Sequence, residues 1–112
     1  MDDDNIKSFE TQLRKGLLTY CILSLALGGQ VYTSKIIEEL KSANMIVTEG
    51  TLYPLLNRLS KNGFLNHVWE ESSGGPPKKY YSISKDGRQY LKKLDLAWKN
   101  ISVSINKIAK EK

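Results

Sequence analysis

From Val47 to Gly63 the chain carries one helix with both ends marked, and this stretch limits the fold more than any other. Thr48 is a good N-cap, because its hydroxyl can accept one of the orphan backbone N–H groups of a first turn. Glu49 follows where the helix dipole favours negative charge. Gly63 suits the left-handed residue that closes a helix, and Lys61 falls in the last turn. Leu52, Leu55, Leu56 and Leu59 repeat at helical spacing and form one apolar face. The opposite face carries Thr51, Tyr53, Asn57, Arg58 and Lys61, all hydrogen-bond donors and none acidic. A short helix with an apolar back and a donor-rich front suits a DNA major groove. An ordinary amphipathic surface helix has the same apolar pattern. Pro54 removes only the bond to the Gly50 carbonyl in the first turn, so the helix survives, with a kink expected near Gly50–Thr51.

Upstream, residues 1–7 read as frayed, and a first helix is expected from about Ser8 to Leu27. Phe9, Leu13, Leu17, Tyr20 and Ser24 mark one face; Leu18, Ile22 and Leu25 mark another. Apolar residues nearly all round imply burial on two sides, one inside the domain and one against a partner chain. Gly28-Gly29 ends this helix. Tyr32-Thr33-Ser34 offers the next N-cap, and a second helix runs to about Ala43 with Ile36, Ile37 and Leu40 inward. The short Asn44-Met45-Ile46 link to the next helix suggests helix-turn-helix geometry.

Beyond Gly63 the period changes. Phe64 to Glu71 is rich in β-formers, Ser72 to Pro77 is turn chemistry, and Lys78 to Ile83 reads as the return strand. In that strand Tyr80 and Ser82 face one way, Tyr81 and Ile83 the other. Three helices followed by a hairpin give the winged helix-turn-helix order. Lys78 and Lys79 at the hairpin base are placed to neutralise phosphates, although paired lysines also protect a sheet edge. Ser84 caps a last helix that runs from Lys85 towards Lys110. Along it Leu91, Leu94, Trp98, Ile101, Ile105 and Ile108 keep a three-four alternation, a narrow seam of coiled-coil type. Such a seam fits a second copy of the chain, or the first helix of its own chain, or both. Trp98 is too large for close packing at its centre, so it fills a gap or lines a cavity there.

The expected fold is therefore mainly α with a small β-hairpin. It divides into a frayed N-terminus (1–7), a winged helix-turn-helix domain (8–84) and a C-terminal dimerisation helix (85–112). A chain of 112 residues makes one such unit with a modest core. Its net charge of +5 favours an anionic partner, with Asp2, Asp3, Asp4 and Glu10 confined to the start. The single cysteine, Cys21, excludes an intrachain disulfide and a zinc pattern, and fits a reducing cytoplasm. No signal peptide is visible, because the N-terminus is acidic. The apolar run Leu17–Leu27 is too short to span a bilayer.

Two motifs resemble the PadR family of bacterial transcriptional regulators, in its short form with a single C-terminal helix. The first is Glu49-Gly-Thr-Leu-Tyr-Pro-Leu-Leu-Asn-Arg-Leu59, followed by Asn62-Gly63-Phe64-Leu65. The second is Trp69-Glu70, Gly75, and Lys79-Tyr80-Tyr81-Ser82-Ile83-Ser84-Lys85-Asp86-Gly87. The resemblance covers about Gly16 to Ile108. It implies a homodimer bound to double-stranded DNA at a palindromic operator, usually as a repressor of a neighbouring promoter or its own. The family's recognition helix maps onto Thr48 to Asn62. By motif match Thr51, Tyr53 and Arg58 contact DNA, Tyr32 touches a phosphate, and Lys78 and Lys79 sit in the wing. Thr48, Asn57 and Lys61 complete the expected DNA-facing set.

Some short members of this family hold flat aromatic drugs between two symmetry-related tryptophans at the dimer centre. Trp98 matches that place, with Asp95 beside it, so a small aromatic effector is a further expectation; indole faces stack on such rings. The dimer contacts expected with Trp98 are Leu13 and Leu17 on the first helix and Leu91, Leu94, Ile101, Ile105 and Ile108 on the last. No cofactor, metal or enzymatic activity is expected, since His67 is the only histidine and has no triad or metal partner in the sequence. The competing function is a winged-helix module that binds protein rather than DNA.

Overall fold

The computed structural model describes residues 2–110. Along the chain lie α1 (Asp2–Leu27), β1 (Val31–Tyr32), α2 (Thr33–Ser42), α3 (Glu49–Lys61), β2 (Leu65–Ser72), β3 (Gly75–Ile83) and α4 (Lys85–Lys110). This is the winged helix-turn-helix order with long helices at both ends. Met1 of the expected frayed segment and residues 111 and 112 of the expected last helix lie outside the described residues.

Three local expectations need correction. Residues 2–7 are helical rather than frayed, because Asp2, Asp3 and Asp4 occupy the first turn of α1, where the helix dipole favours them. The hairpin carries a third strand: β1 pairs with β3 through Val31↔Tyr81 and Tyr32↔Tyr80, giving the antiparallel order β1-β3-β2. Two residues are too few for any alternation to show in a sequence. The tip is also tighter than expected, since β3 already begins at Gly75 and includes Pro76 and Pro77. Gly74 turns the chain at φ 77°, and the pairing is irregular between Glu70 and Ser72. The prolines sit beyond the reach of β1, beside that irregularity, where a missing N–H costs no ladder bond.

The expected ends of α3 are present. Thr48 Oγ1 accepts from the Thr51 backbone N–H at 3.3 Å, and Gly63 follows the helix at φ 83°. The helix is continuous through Pro54. Leu52, Leu55, Leu56 and Leu59 are all buried, packed with Leu18, Ile22 and Leu23 of α1 and Ile36 and Leu40 of α2. Each such leucine contributes roughly 1.5–3 kcal/mol by leaving water. Tyr81 and Ile83 point into this core from β3, as the alternation requires.

A compact joint ties the wing to α4. Ser84 Oγ donates to the Gly63 carbonyl at 2.6 Å and accepts from the Gly87 backbone N–H at 2.9 Å. It thus links the close of α3 to the start of α4. Phe64 stacks on Tyr90 with ring centroids 4.3 Å apart. Gly87 lies so close to Phe64 that a Cβ there would overlap the Phe64 carbonyl. This joint fixes the direction in which α4 leaves the domain.

Candidate nucleic-acid interface

With its leucines buried, α3 turns Tyr53, Asn57, Arg58 and Lys61 outward. Facing them is the wing. The β2–β3 register sets Leu65 opposite Ile83, His67 opposite Tyr81 and Trp69 opposite Lys79. Side chains alternate across a sheet, so these six share one face. That face starts in the core at Leu65 and Ile83 and reaches solvent at Trp69 and Lys79.

Aromatic rings hold both wing lysines. The Lys79 ammonium lies 5.6 Å from the Trp69 ring centroid and 5.4 Å from that of Tyr81. The Lys78 ammonium lies 4.6 Å from the Tyr32 ring, which meets Tyr80 edge-on. Such contacts restrain a flexible side chain without neutralising its charge. Among the described residues, no carboxylate lies within ion-pair distance of Arg58, Lys61, Lys78 or Lys79. Their positive charge remains available to an anionic partner.

Between α3, the start of α2 and the wing runs a groove of about 400 Å³. Five of the nine expected DNA-facing residues line it: Tyr32, Tyr53, Asn57, Lys78 and Lys79. Trp69, Thr33, Ser34, Pro77 and Tyr81 line it too and lie outside that expected set. Carrying the strand alternation across the hairpin would have set Trp69 beside Lys79.

The other four expected residues lie elsewhere. Thr48 and Thr51 border a separate groove shared with Arg14 and Lys15 of α1. Their hydroxyls lie 3.1 Å apart and hydrogen-bond to each other beside the cap bond from the Thr51 backbone N–H. Arg58 and Lys61 are exposed further along α3 and line neither groove.

The expected dimer seam divides in two. Leu91 is buried in the core of its own chain and Leu94 packs partly against it, so the first part of the seam takes α1 as its neighbour. Leu91 is thereby removed from the surface offered to a second chain. Beyond it Trp98, Ile101, Ile105 and Ile108 are 40–68% exposed. On α1, Leu13 is exposed with Ile6 and Phe9, and Leu17 is half-buried.

Asp95, expected near an effector, already has two partners. The Tyr20 hydroxyl donates to its carboxylate, and Lys99 pairs with it at 2.9 Å. The bond from Tyr20, then Lys99, holds the Asp95 carboxyl below the usual carboxylate range, and the same contact raises the Tyr20 phenol. Among the described residues there is no cluster of three or more His, Cys, Asp or Glu able to hold a metal ion. No helix among them is long and apolar enough to cross a membrane.

The sequence pattern of the Transcriptional regulator PadR-like family matches residues 22–93. A PadR-like transcription factor from Bacteroides fragilis is 46% identical; the alignment covers 93% of this chain and 98% of that one, with a TM-score of 0.76. A PadR family transcriptional regulator from Eggerthella lenta is 30% identical over 96% of this chain and 90% of its own, with a TM-score of 0.84. An uncharacterized protein of Lysinibacillus sphaericus is 30% identical over 95 residues, 82% of this chain and 87% of that protein.

Proposed function

The chain belongs to the PadR-like family of transcriptional regulators, and from that premise we propose that it is a dimeric repressor bound at a palindrome in its own or a neighbouring promoter. Regulators of this family bind DNA and typically act as dimers; the family and its structural neighbours are regulators rather than enzymes. The observation that carries the reading is the shared groove, where Tyr53 and Asn57 of α3 meet Tyr32, Lys78 and Lys79. In this reading α3 enters the major groove, Tyr53 and Tyr32 hydrogen-bond to phosphates, and Lys78 and Lys79 neutralise the flanking backbone. Asn57 and Arg58 read base edges. Thr48 and Thr51 order the start of α3, and Lys61 adds positive charge at its end.

The exposed part of the seam, Trp98 to Ile108, supports the dimer, with Leu13 and Leu17 of α1 packing alongside. A flat aromatic effector stacks on Trp98 at the dimer centre and releases the DNA. Because Lys99 and Tyr20 occupy Asp95, that effector is neutral rather than strongly cationic. These roles fall in two functional segments, a winged domain ending at Ser84 and a dimerisation helix beyond it.

The test is retention of a labelled fragment from upstream of the protein's own coding region, in a salt series with random DNA as competitor. Specific retention that weakens steeply with salt is expected, because phosphate neutralisation releases counterions. Retention no better than that of random DNA would contradict an operator at its own promoter, and would favour a winged helix serving a protein partner.

A further inference from the structure

Trp69 is a large apolar side chain with no place in the core. It is 64% exposed near the outer end of the wing, and the residues that bury the sheet stop at Leu65, Tyr81 and Ile83. Isolated exposed apolar residues are common on protein surfaces. Trp69, however, sits on a groove wall opposite Tyr53 and Asn57, with the Lys79 ammonium over its ring. With the side chain this exposed, its indole N–H is open to an external acceptor.

We propose that Trp69 is a DNA-backbone contact residue: its ring face holds the Lys79 ammonium in the groove, and its indole N–H donates to an adjacent phosphate oxygen. The inference rests on the DNA-binding reading above and deepens it. The chemistry is self-consistent. A lysine on a four-carbon stem is a mobile point charge, and freezing it costs side-chain entropy. Tyr81 and Trp69 flank Lys79 from the same sheet face at 5.4 and 5.6 Å, so the ammonium is held before DNA arrives. The indole then gives the phosphodiester one directed donor beside one fixed charge. A phosphate contact positions the protein and carries no sequence information. Its loss should weaken specific and random duplexes by the same factor.

The experiment uses the full chain, with a labelled random-sequence duplex and the upstream fragment, each titrated by fluorescence anisotropy across a salt series. Trp69→Ala and Lys79→Ala are measured singly and together. Trp69→Ala should weaken binding about tenfold on both duplexes, the scale of a lost hydrogen bond to a charged group. Both single variants should flatten the salt slope by about one, the signature of one phosphate lost. The double variant should bind much as the weaker single one does, because the two side chains act as a unit. Trp69→Phe keeps the ring, so it should retain the wild-type slope and lose affinity only through the missing N–H.

Unchanged affinity and slope in a folded Trp69→Ala chain would overturn the inference. So would a loss fully additive with Lys79→Ala, which would mark an independent structural effect. Should Trp69→Ala disturb the wing in circular dichroism, Trp69→Phe decides: wild-type affinity there removes the N–H contact. A wild-type protein that binds neither duplex would overturn the underlying DNA reading and this inference with it, a result distinct from a wild type that binds while its Trp69 variants are unaffected.

Discussion

The groove between α3 and the wing and the outer half of α4 differ in the chemistry they present to solvent. At the groove, α2, α3 and the hairpin bring tyrosines, an asparagine, a tryptophan and two ring-held lysines together within a single protomer. Along α4 beyond Leu94, Trp98, Ile101, Ile105 and Ile108 are exposed in the single chain. The first surface is polar, charged and preorganised. The second is apolar and exposed. A polar surface can wait in water at little cost, whereas an apolar stripe of this length is stabilised by finding a second apolar surface. The two regions therefore call for different partners.

The comparison breaks most completely where the two regions join. Gly87→Ala should destabilise the fold by about 3 kcal/mol, because the new methyl meets the Phe64 backbone rather than a side chain that can move. Thermal unfolding would show it, and DNA binding and self-association should suffer together. Next in size is Ile101→Glu with Ile105→Glu. Both sites are more than half exposed, so the fold should persist while sedimentation shows monomers. DNA affinity should then fall by about two orders of magnitude as the second half-site contact is lost.

The reciprocal change, Lys78→Ala with Lys79→Ala, should leave the dimer intact. It should lower DNA affinity and reduce the salt slope by about two, one for each phosphate contact. A dimer weakened by this change, or DNA binding unaffected by it, would erase the distinction between the regions. The smallest effect is expected at Asp95. The Tyr20 bond, followed by Lys99, lowers its pKa in the folded chain. Its contribution is therefore complete above the ordinary aspartate range and is lost as pH falls through the depressed value. Asp95→Asn should slightly flatten the acid limb of a stability–pH curve measured by denaturant melts and leave DNA affinity at neutral pH unchanged.

The two regions also differed in how clearly the sequence announced them. The α3 helix was legible because three independent signals coincide: the Thr48 cap, the leucine period and Gly63 at its close. The hairpin followed from the switch to period two, and Tyr81 and Ile83 fell on the buried face it required. β1 was hidden, since two residues carry no period and gain strand geometry only by pairing with Tyr80 and Tyr81. The start of α1 was hidden for a different reason: three aspartates read as a solvated tail unless the helix dipole is credited for them. On α4 the three-four spacing was real, but spacing does not say who covers each residue. Leu91 turned inward to its own core while Ile101 stayed outside. At the candidate site, Tyr53 and Asn57 of the donor-rich face line the groove. Thr51 borders a different groove, its hydroxyl beside that of Thr48, and Trp69 reaches the α3 groove through cross-strand register, which residue type alone does not reveal.

The measurement that tests the division of labour most directly is hydroxyl-radical footprinting of the upstream region by the wild type and by the Ile101→Glu, Ile105→Glu protein. Two protected patches are expected for the wild type, related by a dyad and centred about 34–36 Å apart along the duplex. For the monomeric variant both patches should be lost at the concentration that saturates the wild type, with weak protection returning only at much higher protein. Equal footprints from the two proteins, or wild-type protection without dyad symmetry, would contradict that division of labour.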